Sequence, residues 1–455
     1  KEIPAYAVHV DQGNLAQQVL ALAGQLSWTG KVAKPRQPFV WAVQLATPAI
    51  QADDKTGAAL VKMLLGHIDT YYTKRGSTNA AAIAASTLLK APLPKTPRSS
   101  VLTAMAQLRS TLAIKELTDL ARAGKLPGGN TPKALADAVA GYKAIMAEFP
   151  LQPTWANLAA LAGQANALAS SVPFPPKMTA PKAPHNWAMA IALDVIKADA
   201  DAKAVASALA IVSGIESQYA AFTKDPARGI ALDIHAKLLA AVKQDTSAWS
   251  TLMLKQIELL NTYASQTFAQ NIKAGRDATN KTLSDHQNQM LAAMAKILAR
   301  ETSQGSAMLT RLTAHLRPWL ARGHDDLIRE AYETLATSMH PSHRPSVQLA
   351  VTNVWVAQAT ATQMRLLAAG FTVPRKLDPA HAKALEACYA MQAQRSDTDA
   401  AVLQARTITV QIVQHYKDLE YFDIAEQAIG AKAAKPVDAT DALAQITLAG
   451  FHLQR

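Results

Sequence analysis

The sequence predicts an all-α body of many short to medium helices in two lobes, and three observations carry that prediction. Of 455 residues, 93 are Ala, the residue with the best intrinsic helix propensity, while Gly numbers 19 and aromatics make up 5%. Capping side chains stand before prolines at Thr131-Pro132, Asp225-Pro226 and Asp378-Pro379, where a proline in the first helical turn loses no hydrogen bond. Gly124, Gly275, Gly370 and Gly430 follow periodic runs as C-terminal stops.

Taken in order, apolar spacing of three to four places helices near 13–26, 54–73, 78–90, 99–123, 132–149, 154–170, 186–222, 226–244, 246–274, 277–303, 306–321, 324–338, 346–369, 379–394, 397–416, 419–429 and 438–451. In 246–274 the stripe runs through Trp249, Met253, Ile257, Leu260 and Ala264. Val347, Leu349 and Val351 alternate like a strand, but the Gln- and Ala-rich continuation favours helix. The segment 173–184, PFPPKMTAPKAP, cannot be helical and reads as an extended linker. The expected organisation is therefore a basic N-terminal lobe over 1–172, that linker, a central and C-terminal helical lobe over 185–430, and a tether with a last helix over 431–455 that serves as an exchange arm between copies. No self-similarity at 20–50 residues is evident, so a solenoid is not expected.

Charge narrows the function. Charged residues are 18% of the chain, below the quarter or so usual for a soluble surface, which predicts that part of the surface is covered by further copies of the chain. No window of 18 strongly apolar residues exists, so no membrane partner is expected. The formal net charge is +12, and residues 1–143 hold 17 basic against 8 acidic residues. These cations gather where loops are expected: Lys31, Lys34 and Arg36 around Pro35, Lys74 and Arg75 before Gly76, and Lys90, Lys95 and Arg98 among prolines. Ten of the 18 Arg lie between Arg300 and Arg406, and Arg317, Arg322 and Arg344 are candidates for the other jaw of a cleft, since guanidinium forks fit phosphate oxygens. Tyr71 and Tyr72, beside Lys74 and Arg75, are candidate stacking surfaces for bases; the competing reading is a helix end with a tyrosine in the core.

Catalytic patterns are weak. Gly24–Lys31, GQLSWTGK, has five residues between its glycines and Val32 after the Lys, which fails the phosphate-loop requirement. His340 and His343 are separated by Pro341, which prevents a shared helix face. His324-Asp325 resembles the ligand pair of HD-type metal phosphohydrolases, but Arg322, Asp326 and Arg329 surround it in place of an apolar helix. Cys388, the single cysteine, sits in EACYAM and reads as a small core residue. No enzymatic activity, metal or cofactor is expected.

The size and two-lobe layout resemble the nucleoproteins of negative-strand RNA viruses and the helical capsid proteins of small double-stranded RNA viruses. That likeness implies a self-assembling virion protein, also present in host cytoplasm, that encapsidates RNA through its phosphate backbone without reading sequence. The alternatives are a non-viral helical scaffold that binds acidic partners, a helical pore-former, and a metal phosphohydrolase acting through His324 and Asp325.

Overall fold

A computed structural model describes residues 5–26, 30–90, 92–150, 154–175, 178–222, 225–244, 246–275, 281–320, 325–396 and 398–430. These residues are helical with no strand among them, and no described helix is long and apolar enough to cross a membrane. The expected segment 431–455, with its helix at 438–451, lies outside the described residues.

The chain forms two compact units, Lys1–Trp249 and Ser250–Arg455. The first holds α1 (Ala5–Gln25), α2 (Gln37–Ala52), α3 (Asp54–His67), α4 (Thr78–Leu88), α5 (Lys95–Arg122), α6 (Lys133–Glu148), α7 (Trp155–Ala167), α8 (Ala183–Ala198), α9 (Ala202–Ala220) and α10 (Asp225–Ala241), and α11 (Ser247–Lys273) begins at its end. The second continues with α12 (Lys281–Arg300), α13 (Gly305–Leu320), α14 (Asp325–Ser338), α15 (Arg344–Ala368), α16 (Pro379–Gln394), α17 (Ala400–Asp418) and α18 (Phe422–Gly430). The proline-rich stretch 173–184 lies inside the first unit and joins α7 to α8, two helices that pack on each other.

Two departures from the expected helices have clear local causes. No helix was expected over 37–52, yet α2 forms: Pro38 sits in the first turn, where its missing N–H has no intrahelical partner to lose, and Pro48 is carried inside the helix. The single helix expected over 186–222 is two, because Asp199 adopts a left-handed φ of 47° and ends α8, after which the Asp201 carboxylate accepts from the amides of Lys203 and Ala204 and starts α9.

A three-helix module recurs three times, as α1–α2–α3, α7–α8–α9 and α15–α16–α17. Within each, the first helix packs on the second and the second on the third. The second helix has 16 residues each time and carries proline in its first turn. An aspartate, Asp53, Asp201 or Asp399, caps the third helix through its side chain. A tyrosine late in the third helix or in the turn that extends it then reaches back to the start of the second. Tyr72 accepts from the Arg36 amide at 2.9 Å, Tyr219 from Lys182 at 2.7 Å and Tyr416 from Asp378 at 2.8 Å, across 36, 37 and 38 residues respectively. The residue three positions after each of those amides, Phe39, His185 or His381, meets the tyrosine ring edge to face at 5.4–5.8 Å. His185 and His381 also bond the phenol oxygen through Nδ1, at 2.8 and 3.1 Å. The three tyrosines are wholly buried, and each phenol satisfies a main-chain donor that would otherwise be stranded under the loop. These copies lie 146 and 196 residues apart and are not in tandem, so they do not form a solenoid with a 20–50-residue period.

Alanine explains how the modules close. In the first module and the α4 that follows it, Ala42, Ala46, Ala80, Ala81, Ala84 and Ala85 are fully buried beside Phe39, Leu60, Leu64 and Tyr72, and small side chains at these positions let neighbouring helices approach closely.

Candidate nucleic-acid interface

The first module places two of the expected basic segments side by side. After α3 the helix widens into a π turn, Ile68–Thr73, in which the Lys74 amide bonds the Asp69 carbonyl five residues back; such turns recur at functional sites. The chain then turns at Gly76, whose φ of 72° suits a residue without a side chain. The buried Ser77 accepts at Oγ from the Val32 amide at 2.9 Å, and Tyr72 accepts from the Arg36 amide. These two bonds hold residues 32–36 against the turn. The Lys31 side chain crosses over Gly76, where a Cβ would stand 3.2 Å from Lys31 Cε.

Lys31, Lys34, Arg36, Lys74 and Arg75 therefore share one surface. Within residues 30–36 and 67–77 they face a single carboxylate, Asp69, which pairs with Lys74 at 2.8 Å. Lys31 and Lys34 are exposed and have no ion-pair partner among the described residues, while Arg36 is half-buried. Arg75 lies 5.6 Å above the Tyr71 ring. Lys74 and Arg75 also follow the C-terminal end of α3 and its π turn, where the helix dipole favours cations.

The two tyrosines are not open stacking surfaces. Tyr72 is fully buried as the latch of the module, so no base can reach it. Tyr71 is half-buried, its ring 4.3 Å from that of His67 and its hydroxyl seated on Gly24, where an added Cβ would come within 2.6 Å of Tyr71 Oη. The competing reading of this segment, a helix end with tyrosine in the core, is the one the geometry follows.

Arg98 stands apart from the cluster. It pairs with Glu148 at 2.6 Å, and its neighbour Thr96 bonds Asp54 at the opposite end of α3. The 14 residues of α3 and 6 of the π turn intervene, roughly 30 Å of helix rise. The remaining expected cations belong to the second unit. Arg344 opens α15 and is exposed; Arg317 lies in α13; Arg322 falls outside the described residues.

One feature of the surface was not foreseen. A groove of about 550 Å³ begins at Asp69 and Thr73 and runs along α5 past Ser100, Thr103, Gln107 and Thr111. The hydroxyls of Ser100, Thr103 and Thr111 donate to helix carbonyls four residues back, so toward the groove they present acceptor lone pairs. Their recurrence every three to four residues was the available signal, but polar stripes on amphipathic helices are common, and the partner wall comes from residues thirty positions earlier.

The weaker chemical motifs resolve into structural roles. His340 Nδ1 accepts from the Ser342 amide and caps a short 3₁₀ turn, Pro341–His343. His324 lies outside the described residues. Among the described residues no group of three or more His, Cys, Asp or Glu is arranged to hold a metal. Cys388 is buried in the core of the third module, and burial pushes its thiol up to about 12, away from nucleophilic use. Comparison with models of known protein families and with curated protein sequences gives no match.

Proposed function

We propose that this chain is a self-associating structural protein that coats RNA, as the nucleoprotein or capsid protein of a virus, and performs no catalysis. The observation that carries the reading is the basic surface of the first module, in which Lys31, Lys34 and Arg75 stand exposed on segments pinned by Tyr72 and Ser77. Cations held on a fixed frame bind phosphates without ordering long loops first, and a polyanion supplies several phosphates in series. Lys31 and Lys34 are three residues apart, at most roughly 10 Å, a span that suits neighbouring phosphates of one strand.

The groove beside them favours RNA over DNA. Ser100, Thr103 and Thr111 can accept a hydrogen bond from a ribose 2′-hydroxyl, a donor that deoxyribose lacks. With Tyr72 buried and Tyr71 packed on His67 and Gly24, neither offers an open face to a base, so binding is electrostatic and indifferent to base identity.

The test is purification at low salt with the 260/280 nm absorbance ratio read beside mass by light scattering, followed by nuclease digestion. Protected RNA on a large species supports the reading. Protein free of nucleic acid at low salt refutes it and leaves a scaffold whose basic surface meets acidic proteins.

A further inference from the structure

Trp41 and Trp187 occupy the same place in two modules. Each is the fifth residue after the latched amide, within the matching stretches PRQPFVWA (35–42) and PKAPHNWA (181–188). Their surroundings differ. Trp187 is 1% exposed, and its indole N–H donates to the carbonyls of Gly129 and Asn130 in the loop before α6. Trp41 is 50% exposed, and no described residue roofs it or accepts from its indole. On the adjoining α1 and just past its end, Leu15, Leu22 and Leu26 are 46%, 59% and 42% exposed, and their spacing of seven and four residues sets them in one stripe. The equivalent helix of the second module, α7, turns Ala156, Ala160 and Gln164 outward instead.

We propose that the outer face of α1 and α2 is an interface with a second copy of this chain, the same face meeting itself. The partner is argued from charge. In a chain of net charge +12, whose first 143 residues alone hold 17 cations, α1 and α2 contain no Lys or Arg and one carboxylate, Asp11. Two copies that meet on these helices bring no Lys or Arg of α1 or α2 together. Area agrees. Helices of 21 and 16 residues packed side by side present roughly 30 by 20 Å, or about 600 Å² per copy, and the pair reaches the ~1,200 Å² at which specific interfaces begin. Trp41 is of the residue type that anchors such contacts, and Leu22 adds apolar area beside it. Gln37 and Gln44, exposed a turn to either side of Trp41, offer uncharged amide oxygens to the partner's indole, the role that Gly129 and Asn130 play for Trp187.

The interface deepens the self-association in the proposed function and rests on that reading for its purpose, but its test does not depend on RNA. Full-length protein, stripped of nucleic acid by nuclease and high salt, is weighed by light scattering over a hundredfold range of concentration, beside Trp41→Glu and, separately, Leu22→Glu. Both positions are about half exposed, and circular dichroism checks that the variants fold. The wild type is expected to approach at least twice 48.5 kDa as concentration rises, and each variant to need at least tenfold more protein to do so, with its binding of a short RNA unchanged. A wild type that stays at 48.5 kDa throughout, or folded variants that associate as it does, overturns the interface. Association of the wild type without any RNA affinity keeps the interface and removes the RNA-coating reading instead.

Discussion

Replacing Lys31 and Lys34 together by Ala removes the two exposed cations that stand on the latched segment and leaves the latch itself intact, because the bonds to Tyr72 and Ser77 are made by main-chain amides. On the proposed reading the phosphate contacts of this surface are the exposed cations Lys31, Lys34 and Arg75, Lys74 being paired with Asp69 and Arg36 half-buried. Three contacts to a single strand, at about −0.7 each, give a slope near −2 for the logarithm of affinity against the logarithm of salt. Between 50 and 200 mM salt the wild type then loses roughly 16-fold in affinity, while the double variant, with one contact left, loses about 3-fold. Fluorescence anisotropy with a labelled RNA short enough to hold one protein, titrated at four salt concentrations, reads both slopes. A double variant whose slope equals that of the wild type would show that this surface does not meet the phosphates, whatever the absolute affinity.

Other outcomes follow from the same geometry. Tyr219→Phe and Tyr416→Phe each strand a buried main-chain amide and a histidine nitrogen, and urea unfolding is expected to show a loss of ~1–3 kcal/mol for each. Burial holds His185 and His381 down at about 4, against 6.5 when free. Because the unfolded chain takes up protons first, stability is full above about pH 6.5, falls as pH drops toward 4 and levels below it, by roughly 1–3 kcal/mol per histidine; urea midpoints at pH 7.5 and 5.0 measure the fall, and equal midpoints would contradict it. Arg98→Ala breaks an ion pair whose side chains are 40% and 43% exposed, so less than ~1 kcal/mol of stability and none of the RNA affinity should be lost.

The helical class was legible because it is written redundantly, in alanine content, in capping residues before prolines and in glycines after periodic runs. Boundaries failed where one residue plays against its usual meaning. Pro38 reads as a breaker but begins α2, and Asp199 reads as one more helical position but turns left-handed. The site was legible in part. Lys31, Lys34 and Arg36 come together with Lys74 and Arg75 because Tyr72 and Ser77 bridge the two segments, and a single sequence does not announce a hydrogen bond that spans 36 or 45 residues. Arg98 shows the converse, since proximity in a list of basic loops ignored the length of the helix between them. The pair PRQPFVWA and PKAPHNWA was visible in the sequence, but a search for periods of 20–50 residues passes over copies 146 residues apart.

Each tyrosine latch grips the main chain, so the latch bond itself does not depend on which side chain stands at that position. Arginine, lysine and aspartate stand at positions 36, 182 and 378, and the bond beneath them is the same. Beyond the latch, Lys182 donates to the Ala169 carbonyl at 3.0 Å and Asp378 caps α16 through the Ala380 amide, so only the tyrosine bond is indifferent to the charge that stands there. A substitution there changes the charge a module presents and keeps its tyrosine bond, while giving up whatever local bond the former side chain made.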